Sequence, residues 1–391
     1  MATAGVSQAG AAGDGPAAAR SPQLLAARPV VCLSHGFQIN YERGFCNGLA
    51  AQGAAVTLVS SDRTDRTNLL PAVRTVNLRG SQDEDRPRWL KAANQLRYHL
   101  AVMAYALLRR RATLHVIGLL VPLVWCGVLQ GLWFRLVCRR YVLTVHDVLP
   151  HDAHTEWNHR LCRIAYRLPH RLVVHTPRMR DTLVADFGIA AANIVVMEHG
   201  IEPRANRGPE AAPQTDPALP LLLAFGIVVP RKGTDILLEA LRGLSFPVRL
   251  VIAGHCPDAM FRAQLKALIA AHPLRERIEW LDRFVREDEV EALFTEAAVA
   301  LLPYHYIDQS GVLFQALRFG TPVVATKVGQ FERYVGADVG ELAEPGDADS
   351  LRQALERWGA RRQALSREHI AAIGRGYEWP ITVLALRAAY P

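Results

Sequence analysis

Cysteine is sparse and unpatterned: Cys32, Cys46, Cys126, Cys138, Cys162 and Cys256 form no CxxC pair and do not alternate with histidine. That spacing argues against a zinc site and against the disulfide framework of a small secreted domain, and a reduced cytoplasm is the expected setting. Among the 14 histidines none joins a second histidine and a carboxylate at ligand spacing, so no metal site is expected. No nucleic-acid motif accompanies the net charge of +8. The basic excess, with the cluster Arg109, Arg110 and Arg111 and the pair Arg139 and Arg140, therefore points to anionic lipid or a phosphorylated small molecule rather than to nucleic acid. Residues 1–28 lack the apolar run of a signal peptide and, rich in Ala, Gly and small polar residues, read as a disordered tail. Charge is also absent from Thr113 to Phe134, a length that could cross a bilayer. Val116 to Val121 reads as a strand, Pro122 interrupts the run, and Gly127 and Gly131 lie at helical spacing. A buried strand followed by a buried or interfacial helix is expected there rather than a membrane span.

What remains describes a globular chain of two domains, since 391 residues exceed one ordinary core. An apolar strand at Val30 to Ser34, a polar glycine-containing turn, a helical stretch at Gly44 to Gln52 and a strand at Ala55 to Ser60 spell a βαβ unit. Further β-branched runs follow at Arg140 to His146, Arg171 to Thr176 and Ile194 to Gly200. Composition then shifts to Pro, Ala, Gly and polar residues from Ala205 to Pro220, as in a linker. A second series begins with strand Leu221 to Gly226, helix Thr234 to Leu244 and strand Val248 to Gly254. Strands at Ile278 to Trp280, Val299 to Pro303 and Pro322 to Thr326 continue it. The expected organisation is a tail (1–28), a first Rossmann-like domain (29–204), a linker (205–220), a second Rossmann-like domain (221–375) and a C-terminal helix (376–391) crossing back to the first domain. Ligands are expected at the carboxyl ends of the strands of both doubly wound halves.

Two stretches could carry chemistry. FGIVVPRKG, Phe225 to Gly233, ends a strand at Gly226 and delivers Arg231 and Lys232 before a helix. Arginine can chelate two phosphate oxygens and lysine acts as a point charge, so the pair suits a diphosphate; an ordinary solvated loop is the alternative. In the second stretch, Leu301 to Thr326, Ser310, Gly311 and Val312 open an apolar helix running to Phe319. Its free N–H groups and dipole could take an anion, with Gly311 letting a phosphate reach the backbone, or Ser310 could simply cap the helix. His146 ends a strand and precedes Asp147 and a proline-containing loop, which makes it the favoured functional histidine; His35 is also at a strand end.

Together these stretches resemble the retaining GT-B transferases of glycosyltransferase family 4, from about Val30 to the C-terminus. The fold class that the resemblance implies is α/β, two Rossmann-like doubly wound domains facing a central cleft, 29–204 on the acceptor side and 221–375 binding the nucleotide-sugar. It implies that Arg231 and Lys232 bind the diphosphate of a nucleotide-sugar, that His146 in TVHD lies beside the transferred sugar, and that GTPVVAT, Gly320 to Thr326, is the family's next loop and strand. HGIE, His199 to Glu202, resembles the motif closing the first domain. The loop His35 to Gly44, with Gly36, occupies the place of the loop over donor phosphate and acceptor, without the usual double glycine. Catalytic assignments are thus His146, Arg231 and Lys232; donor contacts are Gly226, Arg231, Lys232, Asp308, Gln309, Ser310, Gly311, Val312 and Gln315; the acceptor side takes His35, Gly36 and Asp147.

The family's pair of glutamates is missing. Gln315 stands at the second position and Ile307 at the first, with Asp308 and Gln309 beside it. Gln315 can still accept a ribose hydroxyl, through a neutral bond roughly half as strong as a charge-assisted one. The expected activity is metal-independent, retaining transfer without a cofactor, from a nucleotide-diphosphate sugar to an acceptor that a lipid could carry. A catalytically silent nucleotide-sugar-binding protein is the alternative. The expected location is cytoplasmic, with peripheral contact at the inner, anionic face of a membrane.

Overall fold

The computed structural model describes residues 28–390 apart from 35–38, 65, 67, 84, 120–123, 149–154, 205–215, 217 and 308–309. The first sheet contains β1 (Val30–Ser34), β2 (Val56–Ser60), β3 (Arg74–Asn77), β4 (Thr113–Ile117), β5 (Arg140–Thr144), β6 (Arg171–Val174) and β7 (Ile194–Val196). They are all parallel, in the order β3-β2-β1-β4-β5-β6-β7. Its helices are α1 (Ile39–Ala51), α2 (Arg88–Leu108), α3 (Val124–Val137), α4 (Glu156–Ala165) and α5 (Pro177–Ala185).

Alternation along β1 explains the layering. Val31 and Leu33 join a core with Tyr98 of α2, Phe134 of α3, Cys162 of α4 and Leu183 of α5. Val30 and Cys32 point the other way, into a core with Phe45 and Leu49 of α1 and with Trp379, Val383, Leu386 and Tyr390. Both faces are covered, so the central strands are mostly apolar, as parallel sheets require, with His115 of β4 a buried polar exception. The C-terminal segment is thus part of the first domain's core, as a helical turn (Trp379–Thr382) and a 3₁₀ stretch (Val383–Ala388) rather than one continuous helix.

The second sheet contains β8 (Leu221–Phe225), β9 (Arg249–Ala253), β10 (Ile278–Leu281), β11 (Val299–Leu302), β12 (Val323–Thr326) and β13 (Gly340–Ala343), ordered β10-β9-β8-β11-β12-β13. Helices α6 (Thr234–Leu241), α7 (Ala259–Ala270), α8 (Glu287–Glu296) and α9 (Gly311–Arg318) pack on it. In each sheet the chain order reverses beside the first strand, between β1 and β4 and between β8 and β11, and ligands of such sheets bind at the carboxyl ends there.

Several boundaries differ from pattern reading. The first helix begins at Ile39 rather than Gly44, and the strand placed at Val116 to Val121 is β4, Thr113–Ile117. The helix that follows it spans Val124–Val137, and no helix among the described residues is long and apolar enough to cross a membrane. Most of the linker reading, 205–220, lies outside the described residues.

Candidate functional site: a cation pair facing a histidine cluster

At the end of β8 the chain turns through Gly226 at φ +95°, where a Cβ atom would lie 2.7 Å from Lys232 Nζ and 3.5 Å from Val312 Cγ2. The glycine therefore makes room for a lysine that folds back over the strand end and for the first turn of α9. A second forced glycine locks the loop: Gly233, at φ +64°, would place a Cβ 2.0 Å from the Pro303 carbonyl oxygen beyond β11. The His305 N–H donates to the Arg231 carbonyl at 2.8 Å, stitching the β8 and β11 loops together.

Lys232 Nζ donates to the Phe225 carbonyl at 3.4 Å and lies 5.3 Å from the centre of the Tyr304 ring. Burial, reinforced by the neighbouring Arg231 charge, lowers its pKa to about 8. Among the described residues no carboxylate pairs with Arg231 or Lys232. Two adjacent cations without a counter-charge among the described residues, one of them largely desolvated, form a site that an anion would complete.

Helix α9 begins beside them. Ser310 is buried at its N-cap, but its side chain makes no capping hydrogen bond, so the plain Ser-capped alternative does not hold. Gly311 is exposed, and a Cβ there would meet nothing within 4 Å, so no protein contact demands glycine. Further along, Gln315 Oε1 is buried and has no hydrogen-bond partner among the described residues. Gly226, Arg231, Lys232, Ser310, Gly311, Val312 and Gln315 thus lie along the β8 and β11 loops and the start of α9, whereas Asp308 and Gln309 lie outside the described residues.

In the first domain His146 follows β5 and leans over the end of β4. Gly118, at φ +88°, would place a Cβ 3.2 Å from His146 Cδ2. His146 Nδ1 is 3.2 Å from His175 Nε2, and His175 Nδ1 is 2.9 Å from the Met197 carbonyl. A carbonyl only accepts, so His175 carries its proton on Nδ1 and accepts from His146 Nδ1–H, which leaves His146 Nε2 as an acceptor. His115 bridges Tyr390 at 2.5 Å and Thr144 at 2.7 Å, and Tyr41 meets His146 edge-on at 4.6 Å. Burial, with the nearby His199 and His115 adding to it, lowers the His146 pKa to about 3, and His199 falls to about 4 for the same first cause. These imidazoles are neutral at neutral pH. Asp147 is exposed, and its carbonyl accepts from Tyr166 at 3.5 Å; His35 and Gly36 lie outside the described residues.

The two halves meet along a seam that runs past both groups. His199 stacks on Phe314 of α9 with centroids 5.9 Å apart. Arg43 of α1, buried, reaches Glu287 of α8 at 2.6 Å and Glu202 at 3.1 Å, and Arg318 of α9 donates to the Pro203 carbonyl at 3.1 Å. Sequence reading singled out His146 from this region but not His115, His175, Arg43 or Trp379. One signal lay in plain view for Lys232, since lysine occurs in this arginine-rich chain only at positions 91, 232, 266 and 327.

Two parallel, doubly wound sheets with their strand-end loops gathered along one interdomain seam define the GT-B fold class. The first half matches the family described as Glycosyltransferase Family 4 over residues 40–205, and the second matches Glycosyl transferases group 1 over residues 220–360. The chain belongs to the glycosyltransferase family 4-like group. It is 31% identical over 170 residues, 41% of this chain, to phosphatidyl-myo-inositol mannosyltransferase of Mycobacterium leprae, and 30% identical over 242 residues, 56% of this chain, to D-inositol 3-phosphate glycosyltransferase of Geodermatophilus obscurus. These matches span 43% and 52% of the two relatives' own lengths. Sucrose-phosphate synthase from Thermosynechococcus elongatus superposes with a TM-score of 0.69 at 20% identity, covering 92% of this chain and 97% of the other. Anabaena HepE in complex with UDP gives 0.68 at 16% identity, with 92% and 98% covered.

Proposed function

We propose that this chain transfers a sugar from a nucleotide-diphosphate sugar to an acceptor hydroxyl, with retention at the anomeric carbon and without a metal ion or cofactor. The observation that carries the reading is the cation pair Arg231 and Lys232, unpaired among the described residues, beside the uncapped start of α9. Diphosphate is the ligand whose charge and size suit it. Arg231 holds two oxygens, Lys232 neutralises a third, and the free N–H groups after Ser310 take the remainder, with Gly311 open to close approach. As the bond from the anomeric carbon to the phosphate oxygen breaks, negative charge grows on that oxygen and the same cations stabilise it. The acceptor oxygen then bonds to the anomeric carbon from the face the phosphate leaves, and its proton passes to the departing phosphate.

On the other side of the seam His146 is neutral and presents Nε2 as an acceptor. In this reading it takes a hydrogen bond from a sugar hydroxyl and orients the ring without forming a covalent bond. Gln315, whose buried Oε1 has no partner among the described residues, accepts a ribose hydroxyl in place of the family's glutamate. HepE, crystallised with UDP and with UDP-glucose, supports a donor of this class. A silent nucleotide-sugar-binding protein remains the second reading, favoured by Gln315 and Ile307 where the family carries glutamates.

The pH dependence of nucleotide binding tests the reading. The free Lys232 ammonium titrates at about 8, and a bound phosphate favours its charged form. Affinity for a nucleoside diphosphate is therefore full below that pH and falls above it, by at most about tenfold per pH unit for one proton. Lys232→Arg stays charged and removes the alkaline limb. Titration calorimetry from about pH 7 to about pH 9.5 decides: a flat wild-type profile, or the same limb in the arginine variant, counts against Lys232 as the phosphate ligand.

A further inference from the structure

The outer face of α2 and α3 is covered by nothing among the described residues, yet it is apolar. On α2, Leu96, Leu100, Leu107 and Leu108 are exposed, and on α3 Trp125, Leu129, Leu132 and Leu136 are, with Leu108 81% and Leu136 73% accessible. Spacings of four, three and four residues from Trp125 to Leu136 put the α3 set on a single helix stripe. The two helices lie side by side and run the same way. Gln130 meets His99 at 2.8 Å, Trp133 Nε1 donates to the Met103 carbonyl at 3.0 Å, and the Arg139 N–H donates to the Arg110 carbonyl at 3.0 Å. Their inner residues share one core, so the two exposed stripes both face away from the sheet. The last of these contacts also gathers Arg109, Arg110, Arg111, Arg135 and Arg139, all exposed, at the carboxyl ends of the two helices.

The charge on this segment has one sign. From Arg86 to His146 the sequence contains no Asp or Glu and ten Lys or Arg residues. A second copy of the chain would bring like charge against like charge, and an acidic protein partner would leave two rows of leucine and tryptophan without an apolar counterpart. An anionic bilayer offers both: headgroups for the arginines and an acyl boundary for the leucines, with tryptophan at the interface between them.

We infer that the α2–α3 face docks the protein, reversibly and without spanning, on an anionic membrane surface. The inference goes beyond the transfer reaction and does not depend on it. The full chain is floated with vesicles of phosphatidylcholine alone and of phosphatidylcholine mixed with phosphatidylglycerol, across a salt series. The expected result is flotation with the anionic vesicles only, declining as salt screens the headgroups. The triple variant Arg109→Gln, Arg110→Gln, Arg111→Gln is expected to bind about a hundredfold more weakly at low salt, at roughly fivefold per charge. Leu96→Gln with Leu100→Gln, and Leu129→Gln with Leu132→Gln, lower flotation as well, while melting temperature and nucleotide binding stay at wild-type values. Absence of flotation, equal flotation with neutral vesicles, or binding that survives the arginine variant overturns the inference. So does a concentration-dependent dimer in light scattering that the leucine variants abolish, because a second copy would then be the occupant.

Discussion

Arg231→Ala and Lys232→Ala each weaken binding of nucleoside diphosphates by about ten- to a hundredfold, the loss of one charge-assisted contact of about 1.5–3 kcal/mol. The fold survives both changes, because neither side chain fills a core: the loop is held by Gly226, Gly233 and the bond from His305 N–H to the Arg231 carbonyl. Lys232→Met goes further. In the free protein the ammonium is desolvated and repelled by Arg231, so replacing it with an apolar chain of similar length raises the melting temperature while nucleotide binding weakens as in Lys232→Ala. Calorimetric titration and thermal melting on the same samples separate the two effects. Wild-type affinity in both alanine variants would remove these residues from the donor site.

Trp379→Ala has the largest expected effect on stability. The indole is fully buried in a slot whose walls are glycines, and the fit admits no side chain. A Cβ at Gly44 would lie 2.0 Å from Trp379 Nε1, one at Gly200 2.2 Å from Cδ2, and one at Gly48 2.8 Å from its backbone carbon. The N–H of Trp379 also donates to the Ile201 carbonyl at 2.9 Å and ties the C-terminal segment to the end of the first domain. Emptying such a slot costs about 3–5 kcal/mol. That corresponds to a fall in melting temperature on the order of 10 °C for a domain of this size. Scanning calorimetry checks it, with Gly48→Ala as the opposite perturbation, an overfilled slot that destabilises the same contact. A melting temperature near that of the wild type in Trp379→Ala would mean the C-terminal segment does not support the first domain.

What was legible in the sequence follows from burial. β1, β5 and β8 are covered on both faces and read as largely apolar runs, which pattern alone identifies, whereas β4, broken by the buried His115, reads too far along the chain, at Val116 to Val121. β3, four partly exposed residues at a sheet edge, and β13, opened by a glycine, carry no such run. Helix α2 escaped because exposed leucines on its outer face add to the buried Tyr98, Val102 and Ala106 of its inner face, which blurs the periodicity that marks a helix on a core. In the site, Arg231, Lys232 and Ser310 were visible because loop chemistry is local. His146 stood out singly, but its grouping with His115 and His175 did not, because the three come from different strands, His115 from within β4 and the others from just past β5 and β6, and only the parallel register brings them together.

Turnover of the donor tests the account most directly. Wild-type protein is incubated with a panel of radiolabelled nucleotide-diphosphate sugars, with and without anionic vesicles carrying extracted lipid acceptors, and release of nucleoside diphosphate is followed alongside sugar transfer. The account predicts that at least one donor loses its sugar with its anomeric configuration retained, that chelator leaves the rate unchanged, and that Arg231→Ala and Lys232→Ala abolish the reaction. A donor that binds tightly and is never cleaved, or a panel in which none binds, contradicts it.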